Sequence, residues 1–184
     1  TDRYDQSRTS PLLAAVYKVN KGLSVYANYV EGLSQGQTAP STATNRGEML
    51  APYVSKQKEV GIKFDAGRVG GSVALFSTDK PRSVVDAAGI FGANGKDRHQ
   101  GLELAVQGEA VSGLRVLGGA TWLEAKQQRT GSALTEGQRV IGVPKLQANL
   151  GLEWDVPGVR GLALDGRLVH TGSSYANATN TLRV

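Results

Sequence analysis

The chain has 184 residues, 24 of them glycine and none cysteine, with a formal net charge of +5 and a mean hydropathy of −0.25. Zero cysteine excludes disulfides and thiolate metal centres, and two histidines 71 positions apart, His99 and His170, leave little for a zinc site or a histidine-based nucleophile. The 21 Lys and Arg are scattered singly and without interleaved aromatics, so nucleic acid is not an expected partner despite a pI of 9.6.

In chain order, the first apolar stretches are Leu12–Val19 and Leu23–Glu31, separated by Asn20-Lys21-Gly22. Strict period two appears next: in Lys58–Asp65, Val60, Ile62 and Phe64 alternate with Glu59, Gly61, Lys63 and Asp65. Ser72–Ser77 is a weaker version. In Gly101–Glu109, Leu102, Leu104 and Val106 alternate with Glu103, Ala105 and Gln107. Leu114–Glu124 follows, then Leu146–Asp155, where Leu146, Ala148, Leu150, Leu152 and Trp154 alternate with polar residues or glycine, then Leu162–Thr171. Side chains on a strand point alternately to opposite faces, so these stretches predict eight strands with one apolar and one polar face. The expected fold class is all-β, an antiparallel up-and-down meander.

The connectors sort by length. Asn20–Gly22, Asp65–Arg68, Val111–Gly113 and Asp155–Gly158 are short and turn-like, with Gly or Asn supplying positive φ. Gly32–Ala51, Thr78–His99, Lys126–Val140 and the stretch from Gly172 are long and polar. In a meander, strict alternation of short and long connectors puts all turns at one end and all loops at the other. That is the habit of an outer-membrane barrel. No apolar run reaches the ~18–20 residues of a membrane-spanning helix, which does not bear on a barrel. Alternation alone also suits a small self-contained eight-stranded barrel of structural or adhesive role, or a soluble ligand-binding β-barrel.

The ordered segments Ser10-Pro11-Leu12 through Tyr17-Lys18, Leu23–Tyr29, Leu50-Ala51-Pro52 and Lys56–Lys63 continue with Leu75-Phe76, Gly101–Leu104, Leu117–Ala120 and Val143-Pro144-Lys145. As a set with this spacing they resemble the barrel of TonB-dependent siderophore receptors, from about Ser10 to Tyr175. The resemblance implies part of a barrel of about 22 strands in a Gram-negative outer membrane. It also implies a ferric siderophore as ligand, the TonB complex and outer-membrane lipid as partners, and no cofactor or catalysis. A sequence that starts at Thr1 without a leader and stops at Val184 is expected to be a piece of such a receptor, with plug domain and last strands elsewhere.

Within that frame Arg46, Arg98, Arg129 and Arg139, in or beside the long connectors, are candidates for an anionic iron complex, because a guanidinium donates parallel hydrogen bonds to oxygen-rich anions. Tyr53 and Tyr175, at strand–loop junctions, are candidate vestibule residues; Arg46, Arg98 and Tyr53 are the preferred ligand contacts. Lys56, Glu59, Lys63 and Glu103 are expected as a lumen-wall ladder of ion pairs. Trp122 and Trp154 fit an interfacial aromatic girdle. Gly89–Lys96 is no phosphate loop, since Gly89 and Gly95 are one residue too far apart and Asp97 follows the lysine. Asn177-Ala178-Thr179 is a chance glycosylation sequon.

Overall fold

The computed structural model describes residues 9–184. They form one antiparallel sheet of eight strands in sequence order: β1 (Leu12–Asn20), β2 (Leu23–Ser34), β3 (Tyr53–Asp65), β4 (Val69–Val85), β5 (Phe91–Val111), β6 (Leu114–Gln128), β7 (Leu146–Asp155) and β8 (Ala163–Thr171). No helix interrupts it. β1 and β8 are not paired with each other, so the sheet is open.

The cross-strand register divides the faces. Ile62 stands opposite Val73, Val73 opposite Leu104, and Leu104 opposite Ala120. One row below, Phe64, Gly71, Val106, Gly118, Leu150 and Leu168 align across six strands. Directly paired residues share a face, so Val60, Ile62, Phe64, Leu102, Leu104, Leu150 and Leu152 all lie on one side. Glu59, Lys63, Glu103, Gln107, Asn149 and Arg167 lie on the other, as their alternation predicts.

Nothing covers the apolar side. Leu75 is 57% exposed and Trp122 55%, and the buried apolar residues are only Ala39, Ala43, Tyr53, Ala74 and Ala125 among the described residues. A soluble sandwich would place a second layer there, because an uncovered apolar face far exceeds what a soluble surface tolerates. Trp122 and Trp154 bracket this face: Trp154 pairs with Leu114, eight residues below Trp122 on β6. Eight rises of ~3.3 Å at a tilt of ~40° give roughly 20 Å of height, near the ~25 Å apolar band of a membrane barrel.

The polar side is packed across strands instead. The Tyr26 ring lies flat over Gly61, where a Cβ would come within 2.6 Å of it; its hydroxyl donates to Glu59 Oε1 at 2.7 Å. Lys63 Nζ sits 4.9 Å from the same ring.

Three features depart from the sequence expectation. Thr78–His99 is mainly strand, since β4 continues to Val85 and β5 starts at Phe91, leaving only residues 86–90 as a turn. Above the Trp122 level both faces carry mainly polar residues, so no alternation marks these strands in the sequence. Lys56 pairs with Glu31 and Asp79 on the Val60 side rather than beside Glu59, and Glu59, Lys63 and Glu103 make no ion pair among the described residues, so contacts to Tyr26 stand where a ladder of ion pairs was expected. The last turn is longer than Asp155–Gly158, because β8 begins at Ala163.

Candidate functional site

At the turn end, small closures suffice. At the other end the 35–52 segment folds back on the β4–β5 hairpin. Gly36 makes the bend: a Cβ there would fall 1.8 Å from the Leu50 carbonyl oxygen, so only glycine fits. Asn45 clamps the segment to the hairpin tip, accepting from the Phe91 N–H at 2.8 Å and donating to the Phe91 carbonyl at 2.9 Å. The Thr44 N–H donates to Gly89 O at 2.8 Å. These bonds hold Arg46 beside the hairpin tip, its side chain exposed and without a partner among the described residues.

Tyr53, the first residue of β3, is 8% exposed. Its hydroxyl bonds the Ser83 hydroxyl and accepts from the Gln37 N–H at 3.2 Å. It pins the mouth rather than lining it with a free hydroxyl. Arg98 lies on the Leu102 side of β5, and its guanidinium donates to both carboxylate oxygens of Asp79, at 2.7 and 3.0 Å. Arg98 is thus engaged in an ion pair within the sheet, whereas Arg46 stands in the 35–52 segment beside the hairpin tip.

Arg129 adopts φ 53° at the start of the 129–145 loop, which Glu136 organises by accepting the N–H groups of Arg129 and Thr130 at 3.0 and 2.9 Å. The Thr130 and then the Arg129 amide hold the Glu136 carboxyl below the ordinary carboxylate range. Arg139 stands 6.0 Å from the Tyr175 ring centre, an outermost contact between two candidates.

The centre of this end was not visible in the sequence. Gln127, fully buried, accepts from Arg82, which also meets Asp97 at 3.4 Å, and donates to the carbonyls of Arg139 and Ala178, each at 2.9 Å. Asn180 accepts the Arg139 N–H at 2.6 Å and donates to the Arg139 carbonyl at 3.0 Å. One glutamine thus ties β4, β6, the 129–145 loop and the segment after β8. Within the stretch Lys126–Arg129 nothing in the sequence marks it out. No group of three or more potential metal ligands occurs among the described residues.

Residues 1–184 match the family described as TonB dependent receptor-like, beta-barrel. The ferrichrome receptor FcuA of Yersinia enterocolitica is 38% identical over 98% of this chain and 24% of its own length. The ferric-pyoverdine receptor PbuA of Pseudomonas sp. M114 is 31% identical over 74% of this chain and 17% of its own. Among solved structures, BauA, the ferric preacinetobactin receptor of Acinetobacter baumannii, superposes with a TM-score of 0.87 at 37% identity, covering 97% of this chain and 28% of that one. The chain thus spans about a quarter of the length of the ferrichrome receptor it resembles.

Proposed function

This chain belongs to the TonB-dependent receptor β-barrel family, and we propose that the protein it is part of takes up a ferric siderophore across a Gram-negative outer membrane. The chain supplies eight strands of barrel wall and the loops at their outer end; the driving force comes through the TonB complex, by way of segments outside this sequence. The observation that carries the proposal is the single uncovered sheet: an apolar face bracketed by Trp122 and Trp154, a polar face opposite, and folded-back loops at one end only. The apolar face meets lipid, the polar face lines a hydrated or plugged lumen, and every backbone group in the membrane is paired once the barrel closes.

The ligand site lies at the loop end. Arg46, exposed, held by the Asn45 clamp and without a side-chain partner among the described residues, is placed to donate to an anionic iron complex. Tyr53 supports it by fixing the start of β3 against Ser83. Arg98 is engaged with Asp79 on the Leu102 side of β5, which leaves its guanidinium less free for a ligand than that of Arg46. No chemistry is done on the ligand, and the protein is not an enzyme.

The test is a binding titration of the intact receptor, followed by protein fluorescence, against ferric hydroxamate, catecholate and mixed-ligand siderophores. Saturable binding of at least one iron-loaded form, with much weaker binding of its iron-free form, is expected. Absence of binding to all of them would overturn the proposal.

A further inference from the structure

The β4–β5 hairpin outgrows the sheet. Among the described residues its outermost strand pairs on either side are Asp79 with Lys56 and Lys96 with Gln128, yet β4 continues to Val85 and β5 starts at Phe91. Within this outer part the register slips once: Arg82 stands opposite Gly95 and Val84 opposite Gly92, so Ser83 faces two residues of β5, Ala93 and Asn94. Such a bulge bends the strand that carries it. Gly95 beside it is buried and admits no side chain, since a Cβ would lie 2.9 Å from Val84 Cγ1 and 3.0 Å from the Arg82 carbonyl oxygen. The outer hairpin is thus set off from the wall and takes its position from side chains.

Two neighbours are fastened to it. The 35–52 segment is fastened at both ends: Tyr53 bonds Ser83 and accepts from the Gln37 N–H at 3.2 Å, while Asn45 takes both backbone groups of Phe91. On the other side Arg82 donates to Gln127 and meets Asp97 at 3.4 Å. Gln127 holds the Arg139 and Ala178 carbonyls, and Asn180 closes on both backbone groups of Arg139. The Gly142 N–H donates to the Tyr175 carbonyl at 2.9 Å, which joins the 129–145 loop to the segment after β8 a second time.

The 35–52 segment is itself one body. Thr38 bridges Met49, the Ala39 N–H donates to Glu48 O at 2.8 Å, and the Gly47 N–H donates to Ala39 O at 3.0 Å. Arg46 belongs to that body. Ser83 and Arg82 are consecutive on β4, so the fastening of this segment and the fastening of the Gln127 cluster are one peptide bond apart. Two sites that bias the position of the same element are coupled, and the coupling is reciprocal.

We propose that the outer β4–β5 hairpin couples the segment bearing Arg46 to the loop cluster around Gln127, with Arg82 as the connecting residue. Ligand captured at Arg46 then tightens the 129–145 loop, and loosening that loop weakens capture by the same factor. The ligand half of this inference rests on the siderophore reading above; the mechanical half does not.

The experiment is hydrogen exchange on the intact receptor in lipid vesicles, resolved to single amides. Two amides report the two sides: Thr44, bonded to Gly89 O at 2.8 Å, and Arg139, bonded to Asn180 Oδ1 at 2.6 Å. Without ligand, Asn45→Ala should quicken exchange at Thr44 and, about fivefold, at Arg139, the low end of couplings between distinct sites. Asn45→Asp keeps the acceptor for the Phe91 N–H and should do less at both. In an Arg82→Met background Asn45→Ala should quicken Thr44 alone. Saturating ferric siderophore should slow Arg139 about fivefold in the parent and not in Arg82→Met, while slowing Thr44 in both. The Leu102 and Leu123 amides should stay protected in every variant, which separates release of the mouth from loss of the barrel. An Arg139 amide indifferent to Asn45→Ala, or one that still responds after Arg82→Met, overturns the proposal. A receptor that binds no ferric siderophore defeats the functional reading, and the comparison without ligand still decides the coupling.

Discussion

Replacing Leu150 by arginine puts a charge where the wall is furthest from water. Leu150 pairs with Gly118, which is four residues from Trp122 and four from Leu114, the partner of Trp154. It therefore sits midway across the apolar band, flanked by Val106 and Leu168 on the same face. A midplane arginine on the lipid face costs about 2–4 kcal/mol, falling to about 0–1 near the interfaces. Leu104→Arg, one row below Trp122, should cost less, about 1–2 kcal/mol on that depth scale. Asn149→Arg, adjacent in sequence but on the lumen face opposite Gly119 and Val169, should cost under ~1 kcal/mol. Reversible urea unfolding of the intact receptor in lipid vesicles, read by heat-modifiable gel mobility and tryptophan fluorescence, gives all three values. The order Leu150, Leu104, Asn149 is expected. Equal costs at 149 and 150, or a larger cost at 149, would refute the face assignment.

Gln127→Ala leaves the Arg139 and Ala178 carbonyls and the Arg82 guanidinium short of a partner. At about 1–3 kcal/mol per buried polar group left unsatisfied, the 129–145 loop should open, seen as faster hydrogen exchange there while β6 and β7 stay protected. Arg46→Ala should weaken binding of an anionic ferric siderophore by about 0.5–1.5 kcal/mol, roughly two- to tenfold, whereas Arg98→Ala should leave it unchanged; fluorescence titration distinguishes them. Glu136 has a lowered carboxyl pKa because it accepts two backbone N–H bonds, so its contribution to loop order is complete above the ordinary carboxylate range and is lost as pH falls through the depressed value. Protection of the Arg129 and Thr130 amides, corrected for intrinsic exchange, should drop only below that range, and Glu136→Gln should remove the pH dependence.

What was legible in the sequence is the two-faced part of the sheet. Between the Trp122 and Trp154 levels one face is apolar and the other polar, so hydrophobicity alternates, and β3, β5 and β7 announce themselves through Val60–Phe64, Leu102–Val106 and Leu146–Trp154. Family membership was also legible, through the order and spacing of weak segments, and the match over residues 1–184 bears it out. Beyond the Trp122 level both faces are mainly polar, so the outer halves of β4 and β5 carry no period and look like loop; only pairing such as Asp79 with Arg98 shows the strand. The same loss of period hides parity, which is why Lys56 looks like a neighbour of Glu59 although it points the other way. Gln127 was out of reach for a different reason. Its partners, Arg82, Arg139 and Ala178, come from three separated stretches, and a glutamine among polar residues gives no local sign that it will be buried.

The two-faced wall is tested most directly by a spin-label scan along β5. In the intact receptor in vesicles, single cysteines are placed at each position from Gly101 to Gln107, and accessibility to oxygen is compared with that to a water-soluble nickel chelate. Labels at Leu102, Leu104 and Val106 should favour oxygen, and those at Gly101, Glu103, Ala105 and Gln107 the chelate, with a period of two residues. An absent period, or one with the faces exchanged, would contradict the lipid-facing assignment of the apolar rows.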